Sequence, residues 1–185
     1  MVAVTVRAGL LLLLALGVPA AGAQVIDVGR SRAEFDLHTR WGAIVRGRFP
    51  AFEGEVTTLA DGRRQVRLRL ATSSLEINGS PRYTALARGR GLFDAARHPW
   101  IEFTSEPYTA SVLREGGALD GRLRMHGVEG RERFSLAPSS CARPGHGCEI
   151  LAEGRVSRDD YGLDGWHWAL ADSVRFRLHV RFADD

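Results

Sequence analysis

The sequence predicts an all-β domain, a barrel or sandwich of about eight strands with one short helix. Three observations carry this. Val174, Arg175, Phe176, Arg177, Leu178, His179, Val180, Arg181 and Phe182 alternate without a break, apolar at even positions and charged or polar at odd ones. The same alternation recurs at Val66–Leu70 and, more weakly, at Ala33–Leu37. Turn signals separate such runs, and a single segment carries helix signals. Strand side chains point to opposite faces with period two, so each run offers one face to an apolar interior and one to water.

The elements follow in order. Val25 to Leu37 forms the first strand region, broken around Gly29. Arg46 to Val56 is next, and Gly47 and Gly54 on either side of Phe49, Pro50 and Phe52 suggest the bulge or bend of a barrel corner. Asp61-Gly62 makes a hairpin turn to a strand at Val66–Leu70 that continues toward Leu75 and Ile77. Asn78-Gly79-Ser80 has the form of a glycosylation sequon but reads as a plain turn. Pro81 to Arg88 is the helix, with Ser80 as N-cap and Pro81 at the first helical position. Strands follow at Ile101–Ser105, Leu119–Met125, Arg133–Leu136 after a break at Gly127, and Glu149–Val156. A Trp-rich loop, Gly165-Trp166-His167-Trp168, leads to the last strand.

The first residues read as a secretory leader. Arg7 is the only charge before Asp27, Ala8–Val18 is a short leucine-rich run, and small residues stand at Ala21 and Ala23. The apolar run is shorter than the ~20 residues of a spanning helix. Cleavage near Ala23 leaves residues 24–185 as one domain of common size. With 25 basic and 22 acidic residues the net charge is only +3, and the basic residues, all arginine, alternate with aliphatics instead of clustering. That excludes a phosphate-tracking nucleic-acid surface. Cys141 and Cys148 bracket the turn-rich Ala-Arg-Pro-Gly-His-Gly and, in an exported chain, read as a local disulfide. A metal site with His146 is the alternative, and its spacing matches no zinc pattern.

Catalytic chemistry is sought and not found. The chain has no Gly-x-Ser-x-Gly elbow. Histidines at 38, 98, 126, 146, 167 and 179 form no His-x-His or His-x-x-x-His pair, so no metal is expected. Asp159 and Asp160 are adjacent and would take opposite faces of a strand. His179, among arginines, reads as surface, and His126 as a strand-end residue.

Several segments together resemble the YceI-like family of exported lipid-binding proteins. They are Asp27 with Ser31 and Phe35; Gly47-x-Phe49-x-x-Phe52-x-Gly54; Phe93-Asp94 followed by His98-Pro99-x-Ile101-x-Phe103-x-Ser105; Gly121-x-Leu123-x-Met125-x-Gly127-Val128; and Arg158-x-Asp160-Tyr161-Gly162-Leu163. They run in family order along the whole mature chain. Arg124 stands where the family often has threonine. The resemblance implies an extended, lipocalin-like antiparallel eight-stranded β-barrel with a helix over it. It also implies a long apolar cavity for a polyisoprenoid, quinone-like or fatty-acyl lipid, and a periplasmic location.

The alternation supplies inward candidates for the cavity wall: Phe35, Leu37, Phe49, Phe52, Leu68, Leu70, Phe93, Ile101, Phe103, Leu123, Val174, Phe176 and Leu178. Each is equally a core residue, since a lipid tunnel is a core with its centre replaced. His38, Trp41, Arg82 and Arg158 are candidates for a head-group rim, on charge, amphipathic character and position near strand ends; Arg158 could instead pair with Asp160. Trp100 falls on the face opposite Ile101 and Phe103, either under the helix or exposed to a membrane or partner. The leading expectation is a non-enzymatic carrier of a long-chain lipid, without cofactor, that touches membranes transiently. A solid barrel binding a membrane or redox partner through Trp100 or Trp166 and Trp168 is the alternative. Exposed barrel edges could also support a homodimer.

Overall fold

The structure, a computed structural model, describes residues 22–184. The leader expected at residues 1–23 lies almost entirely outside them. Eleven strands form one antiparallel sheet: β1 Ala23–Val25, β2 Arg32–Thr39, β3 Ile44–Arg48, β4 Phe52–Thr58, β5 Arg64–Ala71, β6 Glu76–Ile77, β7 Trp100–Ser105, β8 Gly117–Met125, β9 Val128–Leu136, β10 Ile150–Ser157 and β11 Leu170–Val180. The sheet order is β1-β4-β5-β7-β8-β9-β10-β11-β2-β3-β6. The sheet curls into a lipocalin-like barrel: Ile26, just past β1, bridges Phe182, just past β11. The count exceeds eight because the expected Arg46–Val56 strand is two strands and the outermost elements, β1 and β6, are only three and two residues long.

The corner between β3 and β4 shows why. β3 pairs with β2 and β4 pairs with β5, so the chain changes sides of the barrel through Phe49-Pro50-Ala51. Proline cannot donate to a ladder, and it sits where no ladder runs. Gly47 lies opposite Phe35 in the β2–β3 register, and a Cβ there would collide with the Phe35 ring. The glycine therefore gives room for an aromatic side chain across the strand. The expected break at Gly127 is tighter than it reads in sequence. His126 and Gly127, with φ of 53° and 82°, form a two-residue turn, and β9 begins at Val128 instead of near Arg133.

The helix α1 spans Pro81–Arg88, with the Ser80 side chain accepting from the Tyr83 N–H and Pro81 in the first turn, as expected. A second, one-turn helix, α2 (Val112–Glu115), was not legible in sequence. Asp159 and Asp160 belong to a 3-10 turn, 159–161, and not to a strand. No helix among the described residues is long and apolar enough to cross a membrane.

Along β11, Val174, Phe176 and, past its end, Phe182 are buried, as the alternation requires. The outward arginines are half-covered instead of fully solvated. Arg177 reaches Asp36 of β2 at 2.9 Å, and Asp36 is itself buried. His179 is half-buried too, 3.0 Å from Glu149. Over the Trp100 ring the Arg69 guanidinium sits at 4.3 Å, a cation–π contact on the outer face.

Candidate functional site

The inward side chains enclose two apolar cavities. The upper one, about 460 Å³, lies at the barrel end where β2 passes into β3 and β11 begins. That falls within the ~300–1,000 Å³ of ordinary small-molecule sites. Phe35 and Leu37 from β2, Val174 from β11 and Phe93 form its wall, joined by Ile77, Leu92 and Leu163. Tyr83, Leu86 and Ala87 put one side of α1 against it, and Trp41, Trp166 and Trp168 ring its mouth. The lower cavity, about 80 Å³, takes Leu68, Leu70, Ile101, Phe103, Leu123, Phe176 and Leu178. Tyr108, Leu113, Ile150 and Phe182 close it at the far end.

Aromatic rings stand between the two. Phe35, of the upper wall, has its centroid 6.5 Å from Phe176, of the lower wall, and 5.3 Å from Phe49. Phe49 and Phe93 meet edge to face at 6.0 Å. Phe49 and Phe52 are buried but line neither cavity. The interior is therefore one apolar column divided by a plug of phenylalanines, and sequence alternation alone shows no division.

The rim candidates separate. Trp41 lines the upper mouth and is 67% exposed. His38 and Arg82 are exposed and line neither cavity. Arg158 lines the upper cavity yet is only 1% exposed. Its guanidinium makes no ion pair with Asp160. Instead it donates to the carbonyls of Ala171 at 3.2 Å, Leu163 at 2.6 Å and Gly165. Burial, the dominant influence, pulls its pKa below the ordinary arginine value, and an arginine stays charged regardless. Its Nε has no protein partner. Among the described residues, Arg158 is the only charged one in the wall of the upper cavity.

Arg158 also builds the mouth. The carbonyls it ties lie before, in and after the Trp loop, at Leu163, Gly165 and Ala171, and Gly165 packs against the Gly91 backbone so closely that no side chain fits there. The loop after α1 and the Trp loop are thereby joined. Trp166 and Trp168 belonged to the cavity without announcing it, because a loop has no periodicity. Leu119, Phe134 and Leu136 also line the lower cavity and were not among the wall candidates, although the strand alternation they share could have found them. Cys141 and Cys148 are disulfide-bonded. His146, the alternative metal ligand, instead stacks near Phe182 with centroids 5.6 Å apart. Outside both cavities, Asp94, His98 and His126 come together, a grouping that their sequence spacing did not suggest.

A curled antiparallel sheet around an apolar column, with a helix beside its wider mouth, defines a lipocalin-like binding barrel. The YceI-like domain family matches residues 25–182, and the chain belongs to that family. Similar solved structures include Burkholderia cenocepacia BcnA, at 18% identity and a TM-score of 0.64, with 86% of this chain and 99% of that one covered. A polyisoprenoid binding domain from Saccharophagus degradans aligns at 16% identity and a TM-score of 0.66, with 88% and 98% covered. The Campylobacter jejuni YceI protein aligns at 13% identity and a TM-score of 0.57, with 75% and 85% covered. No curated protein matches the chain by sequence.

Proposed function

We propose that this chain is a non-enzymatic periplasmic carrier for a long-chain lipid of isoprenoid, quinone-like or fatty-acyl type, with the tail in the upper cavity. The observation that carries the reading is the upper cavity itself: predominantly apolar, ringed by aromatics at its mouth, with the buried Arg158 in its wall. Each buried methylene contributes about 0.8 kcal/mol, which outweighs the ordering and association costs of several kcal/mol once the tail is long enough. Arg158 has no carboxylate partner among the described residues and favours a head group rich in acceptor oxygens, such as a quinone carbonyl or a carboxylate. The polyisoprenoid-binding relative supports the class of ligand.

Native mass spectrometry of protein purified from its own periplasm tests this. The expected result is an adduct of long-chain lipid mass and a chain beginning near Gln24. A chain that is consistently lipid-free, and that takes up no prenyl quinone or fatty acid when offered one, would overturn it.

The mouth favours a second element of the reading, transient contact with a lipid bilayer. Trp41, Tyr83 and Trp168 are 67%, 57% and 65% exposed, all around that opening. Tryptophan and tyrosine settle at membrane interfaces. Replacing Trp41 and Trp168 by alanine is expected to reduce co-sedimentation with vesicles while the protein retains its lipid. Unchanged co-sedimentation would remove this element and leave the carrier reading intact.

A further inference from the structure

We propose that Asp94, His98 and His126 form a binding site for a divalent transition-metal ion of the zinc class. One ligand atom from each lies within 4.8 Å of the others, and the two imidazole centroids are 4.5 Å apart. Asp94 is 8% exposed and both histidines are half-buried, so the group is sheltered yet reachable from solvent.

Three local features place these side chains. The His98 N–H donates to the Asp94 carbonyl at 2.9 Å, a single helical turn. Residues four apart on such a turn share a face. The β8–β9 turn then brings His126 in from a distant part of the chain. Its Gly127 leaves space for the His98 ring, whose Cε1 would lie 3.0 Å from a Cβ there. Of the three non-glycine residues with positive φ, two are Asp94 and His126, at 40° and 53°. Such conformations persist only where the surroundings over-determine them.

The second nitrogen of His126 is already used. Nδ1 lies 3.3 Å from the Tyr161 carbonyl. A carbonyl can only accept, so the proton of the neutral ring sits on Nδ1, and it is Nε2 that offers a lone pair to a metal. A ligating histidine characteristically donates its other N–H to a carbonyl or carboxylate in this way.

The donor set chooses the ion. Two imidazoles and one carboxylate suit zinc, cobalt, nickel or copper, whereas magnesium and calcium prefer oxygen throughout. Bonds of about 2.0–2.2 Å separate tetrahedral ligands by about 3.3 Å, so side-chain rotation must close the group slightly. Three protein ligands leave one coordination position open. Arg97 and Arg124 add positive charge nearby and oppose the ion, which Asp94 offsets in part.

The test uses the untagged mature protein, stripped with a chelator and titrated calorimetrically with zinc chloride. The expected result is saturable one-to-one uptake, with no response to magnesium. Asp94→Asn, His98→Gln and His126→Asn should each weaken it at least tenfold. Asparagine tolerates the positive φ at position 126. A second measurement needs no variant: in the unaltered protein, cobalt(II) should broaden the imidazole signals of His98 and His126 before those of the other histidines. No saturable zinc uptake, uptake indifferent to all three substitutions, or cobalt broadening centred on His146 or His179 would each overturn the proposal.

Discussion

The two ends of the barrel are both finished with aromatic side chains, but in opposite ways. At the lower end Phe182 is 1% exposed, packed beside His146 and the disulfide-closed loop. At the upper end Trp41 and Trp168 are two-thirds exposed around a much larger cavity. The lower end is held by a covalent link and apolar contact. The upper end is held by Arg158 and the carbonyls it ties, with no covalent link across it. One end is a floor and the other a mouth, and the two should fail differently.

The largest expected effect comes from the floor. Phe182→Ala removes a buried ring and should cost about 3–5 kcal/mol. Chemical denaturation measures it, and a loss below about 1 kcal/mol would mean that the lower end collapses to fill the gap. Next comes the mouth. Arg158→Met keeps similar volume but leaves the carbonyls of Leu163, Gly165 and Ala171 without their donor. The bond to Leu163 is buried while those to Gly165 and Ala171 are only partly so, and at about 1–3 kcal/mol for a fully buried orphaned group and less for a wetted one the total cost should be about 3 kcal/mol. Limited proteolysis separates the two variants. Cleavage within 163–169 should appear first in Arg158→Met and not in Phe182→Ala. The same first cleavage site in both would dissolve the contrast between the ends.

A smaller effect isolates the covalent part of the floor. On the chain-entropy relation the Cys141–Cys148 bond, closing so short a loop, should contribute about 2 kcal/mol. Reducing the wild type, or comparing Cys141→Ser/Cys148→Ser, should lower the unfolding free energy by that amount while lipid retention at the opposite end is unchanged. Loss of lipid on reduction would tie the floor to the mouth.

The floor was far more legible in sequence than the mouth. Strand alternation depends on backbone geometry alone, so Phe176, Leu178 and Phe182 could be placed inward from the sequence. The same rule placed Leu68, Leu70, Ile101, Phe103 and Leu123, all now lining the lower cavity. The mouth is made of loops and a helix end, where no period operates, so Trp166 and Trp168 had no assigned side; at the floor only the one-turn helix α2, whose Leu113 lines the lower cavity, escaped the strand pattern. Arg158 stood out through its motif, but its partners are backbone carbonyls, which no residue type marks; an ion pair with Asp160 was the natural alternative and does not form. The division of the interior depends on side-chain rotamers of Phe35, Phe49 and Phe93, which a pattern of apolar positions leaves open. Asp94, His98 and His126 meet only because a hairpin turn folds back on a segment that precedes it by some thirty residues.

The smallest expected effect is the dependence of the two ends on pH, and its sign differs between them. Toward the mouth, Glu132 accepts from the Tyr161 hydroxyl at 2.9 Å, and burial raises its pKa above the usual glutamate value of 4.5 despite that bond. The same environment holds the Tyr161 hydroxyl well above its ordinary range. A carboxyl raised on folding binds its proton more tightly in the folded chain, so its contribution is greatest in acid and is lost as pH rises from 4.5 through the raised value. At the floor, Glu149 is lowered, chiefly by its hydrogen bond with His179, with Arg32 adding to the effect. Its contribution is present above 4.5 and lost as pH falls through the lowered value. Glu132→Gln should therefore flatten a decline in stability on the rising side of 4.5, and Glu149→Gln a decline on the falling side, each read as the difference from wild type in denaturation midpoints. Taking differences matters, because Asp172 is lowered like Glu149 and contributes its own acid-side loss. Two difference curves of the same sign would show that the ends share one electrostatic character. Opposite signs would mean that acid tightens the mouth while loosening the floor.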